Sequence, residues 1–510
     1  MSNLSELLPT GGGQNAVEFV ADGNLSNGQA VGLKTNGQVE AIATVNNSQY
    51  IPWSPETQFN AASTQGTSVE YNPLDSTRFV VGYNSGSGPK LVVGTVTDNG
   101  STASISYSTP VTVSTNAINA VDLRFQPNTN KFIFLYQDDT GSKLGIAKMY
   151  SISGTTLTLL DTETFDSGGN SGGISMDFSS KTTGLFAVGY MPYNTGTYAK
   201  TRTGNISGNS FSFGTEYTVD SVRGSYSAVA FLDNSDSFVY LWKKFTANGS
   251  DGSGKSKVVT VAANNSSLTF GSMQQWATDQ GQGPTGILVA TNRNVANSFT
   301  FVYTWNGSSP AYGTIAQACT VSGTTITFGA TSAVSNWYAN GPGDLRCYGS
   351  NKFLVVYDGP YNGSNPQYGM YVRPLTTSTT TITLGTQVQV IAPGSRGGNS
   401  NIALGLAPNN AQFAVTYMAG SNYGWSILGE LPSSSTNNTS FIGITAAAIS
   451  SGATGGVNTF GGINTVQTGL TIASDYYVQG NGSLSTASAS PAVKVGRAIS
   501  ATTINMKDLT

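Results

Sequence analysis

One five-residue strand pattern recurs along most of the chain, and a sequence that repeats one strand at a near-constant period folds as an array of like units. The pattern is Phe, three apolar or small residues, then Tyr or Trp. It occurs as Phe79–Tyr83, Phe132–Tyr136, Phe186–Tyr190, Phe238–Trp242, Phe301–Trp305, Phe353–Tyr357 and Phe413–Tyr417. Successive starts lie 53, 54, 52, 63, 52 and 60 residues apart, near the roughly 40–50 residues of one four-stranded propeller blade with its loops. Positions one, three and five of a strand share a face. Here that face is aromatic or apolar, and the other face carries Val, Ile, Ala, Leu, Gly or Thr. A strand apolar on both faces is covered on both sides, whereas a one-sided sheet alternates apolar with charged residues. The expectation is an all-β chain built around a seven-bladed β-propeller, in which neighbouring blades supply the double cover.

A second motif follows six of the seven copies about 25–30 residues on, the spacing of two intervening strands and their turns. Its clear forms are Phe211–Thr215, Leu268–Ser272, Ile326–Ala330 and Ile382–Thr386, with weaker ones at Ile105–Ser108 and Leu157–Leu160. These read as outer strands. The seventh copy has none, since Trp425–Leu431 runs straight into the loop Pro432–Thr439. Gln49–Phe59 is strand-like and precedes the first copy, so it is expected to pair into the seventh blade and leave no open edge. Asn-Gly pairs at Asn99, Asn248, Asn306 and Asn362 read as tight turns, because both residues tolerate positive φ.

Composition agrees with strands and turns and limits chemistry. The 510 residues include 62 Gly and are 10% charged, yet 38% are hydrophobic, enough for a packed core. The net charge of −3 is scattered, so there is no basic stripe for phosphates and nucleic acid is not an expected partner. No leader-like start and no apolar run of roughly 20 residues is present, so the expectation is a chain without membrane insertion, assembled in the cytoplasm. Histidine is absent, which removes the commonest general base and metal ligand together.

Asp138, Asp139, Asp251 and Asp344 are the carboxylates to weigh for glycoside cleavage. Asp138 and Asp139 precede Thr140-Gly141 and read as a turn, and the arginines are scattered, so no catalytic residue is assigned and no enzyme is expected. Asn248–Gly254 offers oxygen ligands but lacks the acidic density of a calcium loop, and it reads as a hairpin loop with neither metal nor cofactor. Trp53, Trp276, Trp337, Tyr338, Tyr361 and Tyr368 fall outside the strand pattern and either pack at blade edges or offer platforms for sugars. Cys319 and Cys347 sit in strand-like apolar segments and read as buried free thiols rather than a bridge.

Residues 1–47 and 440–510 lack the pattern. They carry short strands such as Ala30–Leu33, Tyr476–Val478 and Ala492–Val495, broken by Asn27-Gly28, Asn36-Gly37 and Asn481-Gly482. Each end is small for an independent core, so the two are expected to form one discontinuous β-rich attachment domain, with the propeller, 48–435, inserted between them. The opening Glu6–Phe19, ELLPTGGGQNAVEF, with Asn27–Val31, resembles the starts of virion structural proteins of marine tailed phages. Phe441–Ile444, Gly469–Thr471, Tyr476–Gln479 and Val493–Ala498 are similar to the β-rich module of phage capsid-decoration and fibre proteins. The resemblance implies a place on the virion surface, docking on capsid or tail proteins, and homo-oligomers, often trimers; it transfers no catalytic residue. Two functions follow from it: a decoration or fibre knob, or an adhesin of the tail-fibre type whose propeller face binds a host receptor or surface glycan.

Overall fold

The structure is a computed structural model. It describes residues 15–42, 44–46, 54–98, 103–116, 118–138, 144–167, 171–192, 198–245, 252–265, 267–277, 284–305, 313–335, 342–359, 369–391, 402–409, 412–419, 422–431, 434–436, 438–488 and 492–506. The chain is all-β, with antiparallel pairing throughout its named strands; its only helical turns among the described residues are Ala263–Asn265 and Asn438–Ser440. It divides into two compact units, 49–431 and 1–48 with 432–510.

Within 49–431, every copy of the aromatic pattern is the second strand of an antiparallel sheet. Gln65–Tyr71, Arg78–Asn84 and Pro89–Asp98 are followed by the edge segments Ala103–Tyr107 and Val111–Thr112. Ile118–Phe125, Lys131–Asp138, Gly145–Ser153 and Thr156–Asp166 repeat the order. Two further sheets share one strand. Tyr217–Phe231 pairs by its first half with Tyr198–Ser207 and by its second half with Ser237–Lys244, ending one sheet and beginning the next. Sheets beginning at Pro284–Thr291, Pro342–Gly349 and Ala403–Leu406 complete the series. The segments read as outer strands from sequence do lie on third strands, for example Leu268–Phe270 on Ser253–Val261 and Thr381–Leu384 on Met370–Ser378, so one long strand, not two, separates them from the aromatic copy.

The register corrects one copy of the pattern. Phe178 faces Phe186 and Phe231 faces Phe238, and the equivalent pair in the fifth sheet is Thr291 with Phe299. Phe299–Tyr303, not Phe301–Trp305, is therefore the fifth copy. The two-residue offset leaves every side chain on its expected face because the strand period is two.

The invariant Phe needs room. Phe79, Phe186 and Phe413 are buried, and each lies opposite a glycine of the third strand: Gly94, Gly204 and Gly429. A Cβ at those glycines would come within 2.3, 2.2 and 2.3 Å of the rings. A second aromatic covers a glycine at the start of the third strand, as Phe165 does Gly145 and Trp276 does Gly254.

That second contact explains how the last sheet is completed. Thr57–Asn60 pairs with Tyr423–Glu430, and Phe59 covers Gly424 as Trp276 covers Gly254. Glu56 accepts from the Tyr417 hydroxyl at 2.6 Å. The pairing strand begins at Thr57 rather than Gln49, and residues 49–53 lie outside the described residues. The first strands of the sheets neighbour one another in a closed cycle: Gln65–Tyr71, Ile118–Phe125, Ser171–Phe178, the second half of Tyr217–Phe231, Pro284–Thr291, Pro342–Gly349, Ala403–Leu406, and Gln65–Tyr71 again.

The other unit interleaves the chain ends. Ala16–Val20, Thr454–Thr459, Phe441–Thr445, Ala30–Leu33 and Val39–Ala41 lie side by side in that order, so Ala30–Leu33 is held between a C-terminal and an N-terminal neighbour. Ala30 and Ile42 share a core with Phe441, Ile444, Tyr476, Val478, Val495 and Ile504. Neither end buries this core alone.

Phe59 is 6% exposed and packs edge-on against Tyr83 at 5.1 Å. Phe59→Ala should lower the stability of 49–431 by about 3 kcal/mol. All six tryptophans lie in this unit, so urea unfolding followed by tryptophan fluorescence reads it directly; a loss under about 1 kcal/mol would mean that Thr57–Asn60 does not hold the last sheet closed.

Candidate functional site

The first strand of each sheet is hydrogen-bonded to the second strand on one side only, so its other edge presents backbone groups with no strand partner. Side chains of the preceding sheet take up several of them. Ser68 Oγ accepts from Leu123 N at 3.1 Å, and Asp122 Oδ2 from Met176 N at 2.8 Å. Asp177 Oδ2 accepts from Phe231 N at 2.7 Å and Ser175 Oγ from Val229 N at 3.1 Å. Asp344 Oδ2 accepts from Leu404 N at 3.0 Å, while Arg346 Nε donates to Leu404 O at 2.8 Å. The belt is a set of short acceptors stitching one sheet to the next.

Two arginines neutralise the acids. Arg124 pairs with Asp122 at 2.9 Å and with Glu70 at 3.6 Å, and Arg346 pairs with Asp344 at 3.1 Å and with Glu70 at 3.2 Å. Glu70 thus joins both arginines. Arg346 reaches it across the first strand of the last sheet, where Gly405 lies against Val69. Burial pushes the Asp122 carboxyl up, against the opposing pull of Arg124 and Arg346. Arg346 loses from burial but is held above its ordinary value by Asp344 and Glu70.

The belt lines a central cavity of about 260 Å³, walled by Asp122, Arg124, Asp344 and Arg346 together with Ser68, Ser175, Val121, Ile174, Tyr226, Ile287 and others. A smaller cavity of about 90 Å³ is lined by Glu70, Asp177, Arg293 and Arg346 among others. The cavity residues come from the first strands of all the sheets in the cycle. Chemically it is a polar, charge-balanced pocket with its acids already committed to guanidinium and backbone N–H groups.

Asp344, weighed from sequence as a catalytic acid, sits in this belt as an acceptor for Leu345 N and Leu404 N. Asp138 ends its strand and accepts from Asn116 Nδ2 at 2.6 Å; Asp139 and Asp251 lie outside the described residues, as does most of the Asn248–Gly254 loop. Trp276 packs against Phe301 and Tyr303 at 4.9 Å and donates its indole N–H to Lys255 O, an ordinary place in a sheet core. Trp53, Trp337, Tyr338, Tyr361 and Tyr368 also lie outside the described residues. Cys319 and Cys347 are buried free thiols, and burial pushes both up. The arginines that look scattered along the sequence converge: Arg124 and Arg346 meet at Glu70. Asp122, Asp177, Ser68 and Ser175 were not singled out from sequence, although each stands on the strand that precedes an aromatic copy.

The belt makes two predictions. Glu70→Gln leaves two guanidiniums sharing less negative charge and should cost about 2–3 kcal/mol by urea unfolding; an unchanged midpoint would show that the arginines are satisfied without it. Burial raises Asp177 to about 6, against the backbone bond from Phe231 and the fields of Arg124 and Arg346. Between roughly pH 4 and 6 the folded chain keeps a proton that the unfolded chain has lost, so Asp177 costs stability as pH rises through that window. In Asp177→Asn the amide oxygen still accepts from Phe231 N. Its stability relative to the parent should climb by about 2–3 kcal/mol between pH 4 and pH 7, and a difference that is flat with pH would refute the raised carboxyl.

No known protein family and no curated protein matches the chain. Solved structures do. The BP39L lectin of Burkholderia pseudomallei is similar at 10% identity with a TM-score of 0.51, over 74% of this chain and 99% of that one. A mutant of the NanB sialidase of Streptococcus pneumoniae gives 12% identity and 0.40, over 74% and 70%. A mutant of AofleA from Arthrobotrys oligospora gives 9% and 0.39, over 70% and 94%. At such identities the likeness to the lectin is one of fold, a β-sheet array of the propeller kind.

Proposed function

We propose that residues 49–431 form a seven-bladed propeller that recognises carbohydrate without cleaving it. The observation that carries the reading is the central cavity, in which each acid of the belt is spent on holding neighbouring sheets together. A glycosidase needs one carboxyl free to give a proton and another free to attack or to activate water. Asp122 and Asp344 instead each accept backbone N–H bonds and pair with an arginine. What is left is a pocket with residual hydrogen-bonding capacity on a rigid frame, the ordinary make-up of a recognition site. The lectin that shares the fold supports the ligand class.

The unit built from the two chain ends is the attachment module in this reading. Its strands interleave, so it folds only when both ends meet, and a propeller whose first and last sheets are neighbours can be inserted between them at modest entropic cost. The resemblance of Glu6–Phe19 and Phe441–Ala498 to phage proteins supports a virion setting, with the module docking, as a trimer, on capsid or tail proteins and the propeller meeting a host surface glycan. Joining 1–48 to 432–510 through a short Gly/Ser linker should leave a module that docks on particles lacking this protein; docking by 49–431 instead would reverse the assignment.

The full chain should bind members of an immobilised glycan array and release no reducing sugar from the bound ones. Hydrolysis that disappears in Asp122→Asn or Asp344→Asn would overturn the non-catalytic reading, and silence across the array would overturn carbohydrate recognition.

A further inference from the structure

The first strands share a local irregularity. Register breaks fall between Gln65 and Thr67, Gly172 and Ser175, Ser225 and Ser227, and Thr285 and Leu288. Each break contains a residue in the left-handed region: Gly66 at φ 55°, Gly173 at 59°, Tyr226 at 53° and Gly286 at 57°. Three are glycines, which adopt this conformation freely. The fourth is a tyrosine, for which it is a strained outlier. Gly173 of the neighbouring first strand lies against this backbone, where a Cβ would come within 3.2 Å of Tyr226 Cα.

The ring does not repay that strain by joining a core, because Tyr226 is 41% exposed. It lines the central cavity. A bulky residue held in a glycine conformation and left open to a pocket marks a functional position.

We propose that Tyr226 is the platform of a binding site for one neutral sugar residue in the central cavity; this rests on the carbohydrate-recognition reading above. The phenol ring offers a flat apolar face for the C–H side of a sugar. Asp344 keeps one acceptor position beyond Leu345 N, Leu404 N and Arg346, and the Ser175 hydroxyl keeps one beyond Val229 N, and these accept from sugar hydroxyls. Two carboxylates and two guanidiniums line the cavity and pair with each other or with Glu70, so among the described residues no cavity cation is left over for an acidic sugar. The volume of about 260 Å³ falls just under the roughly 300–1,000 Å³ of drug-sized pockets, which suits one ring rather than a chain.

The test uses the full chain, Tyr226→Gly and Tyr226→Phe. The probes are methyl glycosides of galactose, glucose, mannose and fucose, and of N-acetylneuraminic acid, read by saturation-transfer NMR and titration. Glycine relieves the strained φ, so Tyr226→Gly should melt at the parent temperature or higher while losing about tenfold or more in affinity for a neutral glycoside. Tyr226→Phe, which keeps the flat face, should stay within about threefold of the parent. Undiminished binding in Tyr226→Gly, or binding of N-acetylneuraminate glycosides alone, would overturn this site and leave carbohydrate recognition standing. A parent chain that binds none of the probes would overturn this site, and one that also binds nothing on the array would remove carbohydrate recognition with it.

Discussion

The structure of 49–431 depends on satisfying one edge of each innermost strand. A strand with a partner on only one side carries a row of backbone donors and acceptors facing a crowded interior, and leaving them unpaired there would cost more than most single contacts return. Asp122, Asp177, Asp344, Ser68 and Ser175 meet that demand with short side chains that reach the next sheet. Carboxylates make the stronger bonds, but they bring charge into the interior, and that charge requires Arg124 and Arg346. The ion network is thus a consequence of sheet edges, and Glu70 is the member that makes two pairs into one network.

Closing the cycle sets the second demand. A sheet array left open would expose the outer edge of the last sheet and the flank of the first, and both invite pairing with other chains. Thr57–Asn60 removes the first of these by pairing with Tyr423–Glu430. Tyr107 and Ser426, whose hydroxyls meet, and Gln412, which donates to Ser76 O at 3.0 Å, tie the first and last sheets together from their side chains. Within each sheet the large aromatics are accommodated by glycines across the strand rather than by spreading the backbone, so Phe59 can stand in a position that Trp276 fills elsewhere.

The recognition reading and the attachment reading draw on different parts of the chain. A cavity built from many first strands is rigid because each wall is held by two neighbours, and rigidity lowers the ordering cost of binding. The terminal unit carries no comparable convergence of buried charge among its described residues; its ion pairs, such as Asp475 with Lys494 and Arg497, lie at its surface and contribute little. Its distinguishing feature is the weave of both chain ends through one sheet.

The amino-acid sequence by itself determined the all-β class and the repeating second strand, because aromatic residues at a period of two on a doubly covered strand leave a pattern no other element produces. It also pointed to Gln49–Phe59 as the strand that completes the last sheet, since that sheet visibly lacked one. Only the tertiary structure decided which of two Phe starts the fifth copy, because Phe299 and Phe301 share a face and periodicity cannot separate them. It alone brought Arg124 and Arg346 to Glu70, residues far apart in sequence whose meeting depends on the order in which sheets close. It alone gave Asp344 a partner and a role, and set Tyr226 in a backbone conformation that the same place in three other sheets gives to glycine. Local patterning encodes which face of a strand is buried; which charges meet in the interior is set by ring closure, and that is a property of the whole chain.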